Sequence, residues 1–296
     1  MSTKRGIFTY AIPYVLIASF QYQFVKDGLQ YADPFTFMCI RYFIASALCF
    51  AIARGFRPIL NRNILMLSFV TFLSTAFWAV GLQYVSAGQS AVLSYTMPLF
   101  AIPLAALILK ERATRFGTMG ALIGFAGVAT YAYALSNVGG STVGILLSVT
   151  NALFWALYTV YYRKLKNLDP TQTVATQFLI GGLFFLPFLP FSFQLDLTPV
   201  FLADLGYVAI VGGTASLLLW NAMARMESIG RVTTIAFAVP AVALVIQAAL
   251  TGEIPTPVEV LGVAVMFVGI YISWMLSERP GKIAVGRENA PISRQS

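Results

Sequence analysis

Of the nineteen Lys and Arg residues in this chain, Arg41 alone falls well inside a long apolar run. A guanidinium keeps its charge and can hold a carboxylate through two parallel hydrogen bonds. Its charge is costly in an apolar run unless paired or hydrated. Two roles are therefore open: partner for a solute carboxylate, or clamp on helix-end carbonyls near one surface. The other polar and aromatic groups inside apolar runs are Gln21, Gln23, Trp78, Gln83, Tyr95, Trp155, Tyr158, Gln177, Trp220 and Asn221. Buried amides need partners and turn away from lipid. Aromatic walls with a few polar groups describe a pocket for a compact, partly apolar solute. The candidate substrate-binding set is Gln21, Arg41, Trp78, Tyr95, Trp155, Tyr158, Gln177, Trp220 and Asn221, each aromatic having core packing or an interfacial belt as its structural alternative. Tyr10, Tyr14, Tyr133 and Trp274 fall nearer the ends of apolar runs, where the belt accounts for them.

Bond-making chemistry has little to work with. The acidic residues noted around the runs, Asp27, Glu111, Glu227 and Glu253, fall at ends or in loops, and a carboxylate is not expected near any helix centre. That disfavours a buried proton or cation site. Histidine is absent and the two cysteines, Cys39 and Cys49, sit about 15 Å apart on one helix, so no disulfide, metal or cofactor is expected. No phosphate-binding loop of the GxxxxGK[ST] form is present, which leaves ATP hydrolysis without machinery. The expectation is a protein that is not an enzyme, an intramembrane enzyme being the remote alternative.

The elements that would position these residues are membrane helices. Apolar content of 58%, charged content of 10% and mean hydropathy of +0.79 over 296 residues make lipid the solvent. With about 20 apolar residues needed per crossing, the sequence predicts spans at 7–26, 35–54, 64–84, 89–109, 116–135, 143–162, 171–192, 203–224, 230–250 and 258–277. With the N-terminus in the cytoplasm, every Lys and Arg except Lys26 and Arg41 falls on the cytoplasmic side. The positive-inside rule then sets both termini there, and the net charge of +8 needs no nucleic acid to explain it. The first run lacks a cleavage pattern and reads as a retained anchor. The polar segment 278–296 reads as a disordered cytoplasmic tail.

The chain also repeats itself. A shift of 142 positions aligns Trp78 with Trp220, Gly88 with Gly230, Pro98 with Pro240, Glu111 with Glu253, Gly120 with Gly262 and Gly127 with Gly269; a shift of 136 aligns Tyr22 with Tyr158 and Asp33-Pro34 with Asp169-Pro170. Residues 1–138 thus form a first five-helix repeat and 139–277 a second. Because five is odd, the second copy is inverted about an axis in the membrane plane, an arrangement suited to alternating access around a midplane site. Duplication without mechanistic meaning is the plainer alternative. Pro98 and Pro240, at equivalent places, read as hinges. Glu111 and Glu253 read as gate latches or as helix-end caps. Gly117, Gly120, Gly124 and Gly127, with Gly262 and Gly269, read as close helix packing.

Pro98, Lys110-Glu111-Arg112, Gly120, Gly124 and Gly127, echoed by Pro240, Glu253, Gly262 and Gly269, resemble the ten-helix EamA branch of the drug/metabolite transporter superfamily, over residues 5 to 277; Arg41 fits as well. Ser19-Phe20 stands where many relatives carry Trp-Gly, and Ala156 follows Trp155 in the glycine position. Within the branch the chain is most similar to YddG-type exporters, which implies amino acids, aromatic and other neutral ones, as substrates. The resulting expectation is an all-α polytopic protein of a bacterial inner membrane, monomeric, exporting amino acids by alternating access without ATP. Its partners are the small-molecule substrate and the lipid bilayer, with no nucleic acid. The alternative is export of another small metabolite, such as a carboxylate or a nucleobase.

Overall fold

A computed structural model describes residues 2–110, 115–137, 141–165, 167–226 and 238–275. Among these the structure is helical, and two chain segments touch in strand fashion only at the isolated bridge between Ala32 and Leu195. We label the helical rods α1 (Ser2–Gly28), α2 (Pro34–Ile52), α3 (Arg62–Tyr84), α4 (Ala87–Leu109), α5 (Arg115–Asn137), α6 (Thr142–Lys164), α7 (Pro170–Ser192), α8 (Pro199–Met226), α9 (Ala238–Thr251) and α10 (Pro257–Met275).

Seven of them, α2 to α8, are long and apolar enough to cross a membrane. α1 has the length, but Gln21, Gln23 and several tyrosines dilute its apolar content. The apolar helix α9 is described only from Ala238, because much of the span predicted at 230–250 lies outside the described residues, as do Glu111, Glu227 and the segment 278–296. Large apolar side chains such as Leu107, Leu122 and Leu146 point outward, which suits lipid and not water as the surrounding solvent.

Local chemistry sets the helix ends. Asp33 caps α2 by accepting from the backbone N–H of Phe35 and Thr36, and Asp169 caps α7 by accepting from Gln172, each followed by a proline at the first helical position. Two rods are interrupted. α4 breaks at Tyr95-Thr96, between Ala87–Ser94 and Met97–Leu109, where Pro98 lacks the N–H that would continue the ladder. α8 widens into a π-helix over Tyr207–Ala215, a form concentrated at functional sites.

The packing obeys an exchange of halves. If α1 to α5 are swapped for α6 to α10 in order, the contact of α3 with α6 maps onto that of α8 with α1, α4 with α6 onto α9 with α1, and α3 with α7 onto α8 with α2; α2 with α7, α4 with α9 and α5 with α10 map onto themselves. All of these contacts are present. In the α5–α10 pair backbones touch: a Cβ on Gly127 would strike the backbone of Met266 and Gly262, one on Gly262 that of Tyr131, and one on Gly269 that of Gly124 and Gly120. Small residues of this kind are what let membrane helices approach closely.

Candidate functional site: an aromatic cavity around a buried arginine

α1, α2, α3, α4, α6, α7 and α8 enclose a cavity of about 90 Å³. Six of the nine predicted binding residues line it: Gln21, Arg41, Trp78, Tyr95, Trp155 and Trp220. The other three do not. Tyr158, Gln177 and Asn221 are fully buried among the helices beside it, with Tyr158 Oη donating to Asn221 Oδ1 at 2.9 Å. They are polar residues in a helical interior, as predicted, but off the cavity, and both side-chain polar atoms of Gln177 and Nδ2 of Asn221 lack a hydrogen-bond partner.

Arg41 is 7% exposed. Its guanidinium lies 5.5 Å from the Trp78 ring centroid, and Nη1 faces Met38 Sδ at 3.4 Å. With its amide turned so that both ends are satisfied, Gln21 donates from Nε2 to the Gly212 carbonyl at 2.6 Å and accepts from Arg41 Nη2 through Oε1 at 2.9 Å. Arg41 Nε has no partner, and among the described residues no carboxylate pairs with the guanidinium. An arginine at the centre of a membrane helix costs about 2.5–3.5 kcal/mol on insertion scales. A stacked ring and one amide offset part of that and leave the charge uncompensated.

Gly212 and Gly213, in the π segment of α8, make room for this arrangement. A Cβ on Gly213 would lie 2.7 Å from the Val208 carbonyl and 3.2 Å from Arg41 Nε; one on Gly212 would lie 2.9 Å from Gln21 Cγ. The π turn and its paired glycines thus let α1 and α2 bring polar side chains against the backbone of α8.

Much of the remaining polar lining is tied up in pairs, the indole N–H groups of Trp78 and Trp220 excepted. Tyr14 and Tyr95 share a hydroxyl hydrogen bond of 2.8 Å. Tyr42 Oη shares one of 2.6 Å with Thr75 Oγ1 and donates to the Thr71 carbonyl. Asn151 accepts from Ser74 Oγ and donates to Ser94 Oγ, both at 2.8 Å. The walls are aromatic: Trp155 and Trp220 have centroids 6.1 Å apart, Tyr14 lies 5.3 Å from Trp220, and Tyr22 sits edge-on to Trp78 at 5.3 Å.

The sequence model of the EamA-like transporter family matches residues 5–133 and 142–275. The chain belongs to that family. An uncharacterized transporter of Acidianus ambivalens is 45% identical over 237 residues, covering 80% of this chain and 92% of its own. A protein of Salmonella typhimurium named as a probable amino-acid metabolite efflux pump is 25% identical over 295 residues, covering 92% of this chain and 95% of its own. One solved crystal structure, 17% identical, covers 93% of this chain and 98% of its own with a TM-score of 0.71, a likeness of fold.

In this EamA-like transporter the expected belt position of Tyr14 is corrected. Tyr14 is 3% exposed and lines the cavity, because the packing of α1 against α8 and α9 turns it inward, its ring 5.3 Å from that of Trp220 and its hydroxyl on Tyr95. Tyr10 and Tyr133 are exposed. The sequence scan also passes over Asp204, which is buried within α8 with Oδ2 lacking a partner; it stands in the first turns of the rod, away from the cavity lining. Tyr42, Ser74, Asn151 and the glycine pair go unnoticed because serines, glycines and single tyrosines are common in membrane helices. Only the recurrence of Ser74 at Ser216, by the same shift of 142, could have singled one out, and both line the cavity.

Of the predicted hinges, Pro98 stands immediately after the break in α4, and Pro240 is buried near the start of the described part of α9, where Ser19 Oγ donates to the adjacent Val239 carbonyl at 3.1 Å. Glu253 accepts from Gln247 Nε2 at 2.6 Å; Oε1 of the same glutamine accepts from Ser86 Oγ at 2.8 Å and from the Gly88 backbone N–H at 2.6 Å. That joins the α9–α10 turn to the α3–α4 turn. On the same α3 end, Lys26 donates to the carbonyls of Leu82 and Val85.

Proposed function

We propose that this EamA-like transporter exports small solutes bearing a carboxylate, neutral and aromatic amino acids first among them, by alternating access without ATP hydrolysis. The observation that carries this is Arg41: a buried cation without a counter-charge among the described residues, on the wall of an aromatic cavity enclosed by helices of both halves. One cation matches one carboxylate, whereas phosphate esters call for several. The aromatic walls suit a partly apolar side chain. The similarity to YddG-type exporters and the printed name of the Salmonella relative point to the same solutes.

The mechanism we propose uses ten membrane helices as two inverted halves, both termini in the cytoplasm, in the cell membrane, which in a bacterium is the inner one. Support comes from the charge distribution, from the two stretches matched by the family model and from the packing that survives exchange of halves. Pro98 and Pro240 serve as hinges. Gln247 with Glu253 latches one face, and Glu111, outside the described residues, is assigned to the other. The protein works as a monomer.

Purified protein in liposomes, without an ion gradient, is expected to take up labelled phenylalanine and other neutral amino acids faster than protein-free vesicles. No uptake across a panel of aromatic and aliphatic amino acids would overturn the amino-acid assignment and leave the fold untouched.

A further inference from the structure

We infer that the cavity recognises its solute through the carboxylate and the apolar side chain and has no seat for an amine, so that an amine-free acid binds more tightly than the amino acid of the same skeleton. This rests on the transporter reading above and narrows its solute class.

The inference comes from sorting the polar atoms of the lining into donors and acceptors. Three buried polar atoms on lining residues lack a partner: Arg41 Nε and the indole Nε1 atoms of Trp78 and Trp220. All three are donors, since neither a guanidinium nor an indole can accept. Several acceptors of the lining, by contrast, already take a donor: Asn151 Oδ1 takes Ser74, one hydroxyl of the Tyr14–Tyr95 pair takes the other, Tyr42 and Thr75 share a bond, the Thr71 carbonyl takes Tyr42, and the Gly212 carbonyl takes Gln21. Charge tells the same story more strongly: among the described residues the lining carries Arg41 and no Asp or Glu. Buried donors without acceptors are costly, and an acceptor-rich anion relieves them.

A carboxylate brings two oxygens that only accept, and its charge neutralises the lining. An ammonium brings three donors and a second positive charge. It would meet hydroxyl oxygens and ring faces and, among the described lining residues, no carboxylate to offset its charge, and the face of Trp78 already serves Arg41. A zwitterion therefore gains from one end and loses at the other.

Three ligands of one skeleton separate the terms: hydrocinnamate has the carboxylate, phenylalanine adds the amine, and phenethylamine keeps only the amine. Their affinities for the purified wild-type transporter are measured by calorimetry. Hydrocinnamate is expected to bind about tenfold more tightly than phenylalanine, the scale of one uncompensated buried polar group, with phenethylamine weakest. Phenylalanine binding as tightly as hydrocinnamate, or tighter, overturns the inference, and so does binding of neither. In Arg41→Gln, checked for an unchanged melting temperature without ligand, the advantage of hydrocinnamate is expected to vanish. Should that variant fail to fold, the wild-type ranking decides alone. Liposome flux keeps the two claims apart: hydrocinnamate and phenylalanine both carried at equal affinity sinks the inference but not the transporter reading, whereas binding in this order without flux sinks the transporter reading.

Discussion

Arg41 on α2 and Gln177 on α7 stand at equivalent places, 136 residues apart, and meet different surroundings. Arg41 lines the cavity, stacked on Trp78; Gln177 is fully buried outside it, near Tyr158. The scaffold around them is shared. Trp78 and Trp220 both line the cavity, Ser74 and Ser216 both line it, and Asp33 and Asp169 both cap their helices. Charge and backbone room are divided: the first half supplies the cation, and the second supplies Gly212 and Gly213 where the first has Val70 and Thr71. The repeat gives the frame twice and the buried cation once.

The strongest way to break that comparison is to erase the charge. Arg41→Gln makes the two positions alike and removes hydrogen bonds to a charged group worth about 1.5–3 kcal/mol, so carboxylate flux in liposomes is expected to fall about ten- to a hundredfold. Adding Gln177→Arg to that variant is not expected to restore flux, because position 177 does not face the cavity. Unchanged flux in Arg41→Gln would make Arg41 a structural clamp.

The glycine pair comes next. Gly213→Ala places a methyl within 2.7 Å of the Val208 carbonyl and 3.2 Å of Arg41 Nε. Overpacking of this kind costs about 1–3 kcal/mol, and the displaced guanidinium is expected to raise the KM for a carboxylate more than it lowers the melting temperature. Thr71→Ala, at the equivalent place, loses a hydroxyl that bonds only to the Leu67 carbonyl of its own helix and is expected to change KM little. Equal effects from the two would mean that the π segment has no special part in placing Arg41.

A third contrast concerns the faces. Gln247 joins Ser86, Gly88 and Glu253, while its equivalent in the first half is Ala105. Gln247→Ala removes three hydrogen bonds of about 1 kcal/mol each at most in net terms. It is expected to increase the labelling of a cysteine placed at the buried position 87 by a membrane-impermeant thiol reagent from that side. No change in labelling would make the cluster a fixed brace.

These contrasts also mark what the sequence makes legible. Helix positions, the repeat and six of the residues that line the cavity follow from apolar runs and recurrence, since lipid forces both to be written in residue type. Which face a helix turns inward is not written that way. Tyr158 and Tyr14 sit on the same kind of apolar run; the packing of α1 against α8 and α9 puts Tyr14 on the cavity, and that of α6 against α3 and α4 leaves Tyr158 off it. The π turn in α8 leaves little trace beyond Gly212-Gly213, because its backbone is selected by tertiary contacts. The helix-centre carboxylate scan passes over Asp204 because it stands near a rod end.

The smallest contrast is at the ends of α4 and α9, where Lys110 and Gly252, again 142 residues apart, both take left-handed backbone, at φ 57° and 74°. Glycine reaches that region without strain, whereas a side chain there costs about 1–2 kcal/mol. In the proposed orientation the difference has a reason: Lys110 lies on the cytoplasmic side, where basic residues fix topology, and Gly252 on the other, where none is needed. Lys110→Gly should relieve the strain, less about 0.5–1 kcal/mol of extra chain entropy in the unfolded state, so a melting temperature equal to or slightly above wild type is expected. Gly252→Lys, adding both strain and a charge on the far side, should lower it. The many other cytoplasmic Lys and Arg residues should hold the orientation in Lys110→Gly, read by protease access to a tag at the C-terminus. A lower melting temperature in Lys110→Gly would mean that the lysine side chain holds α4 and α5 together by contacts stronger than its backbone strain.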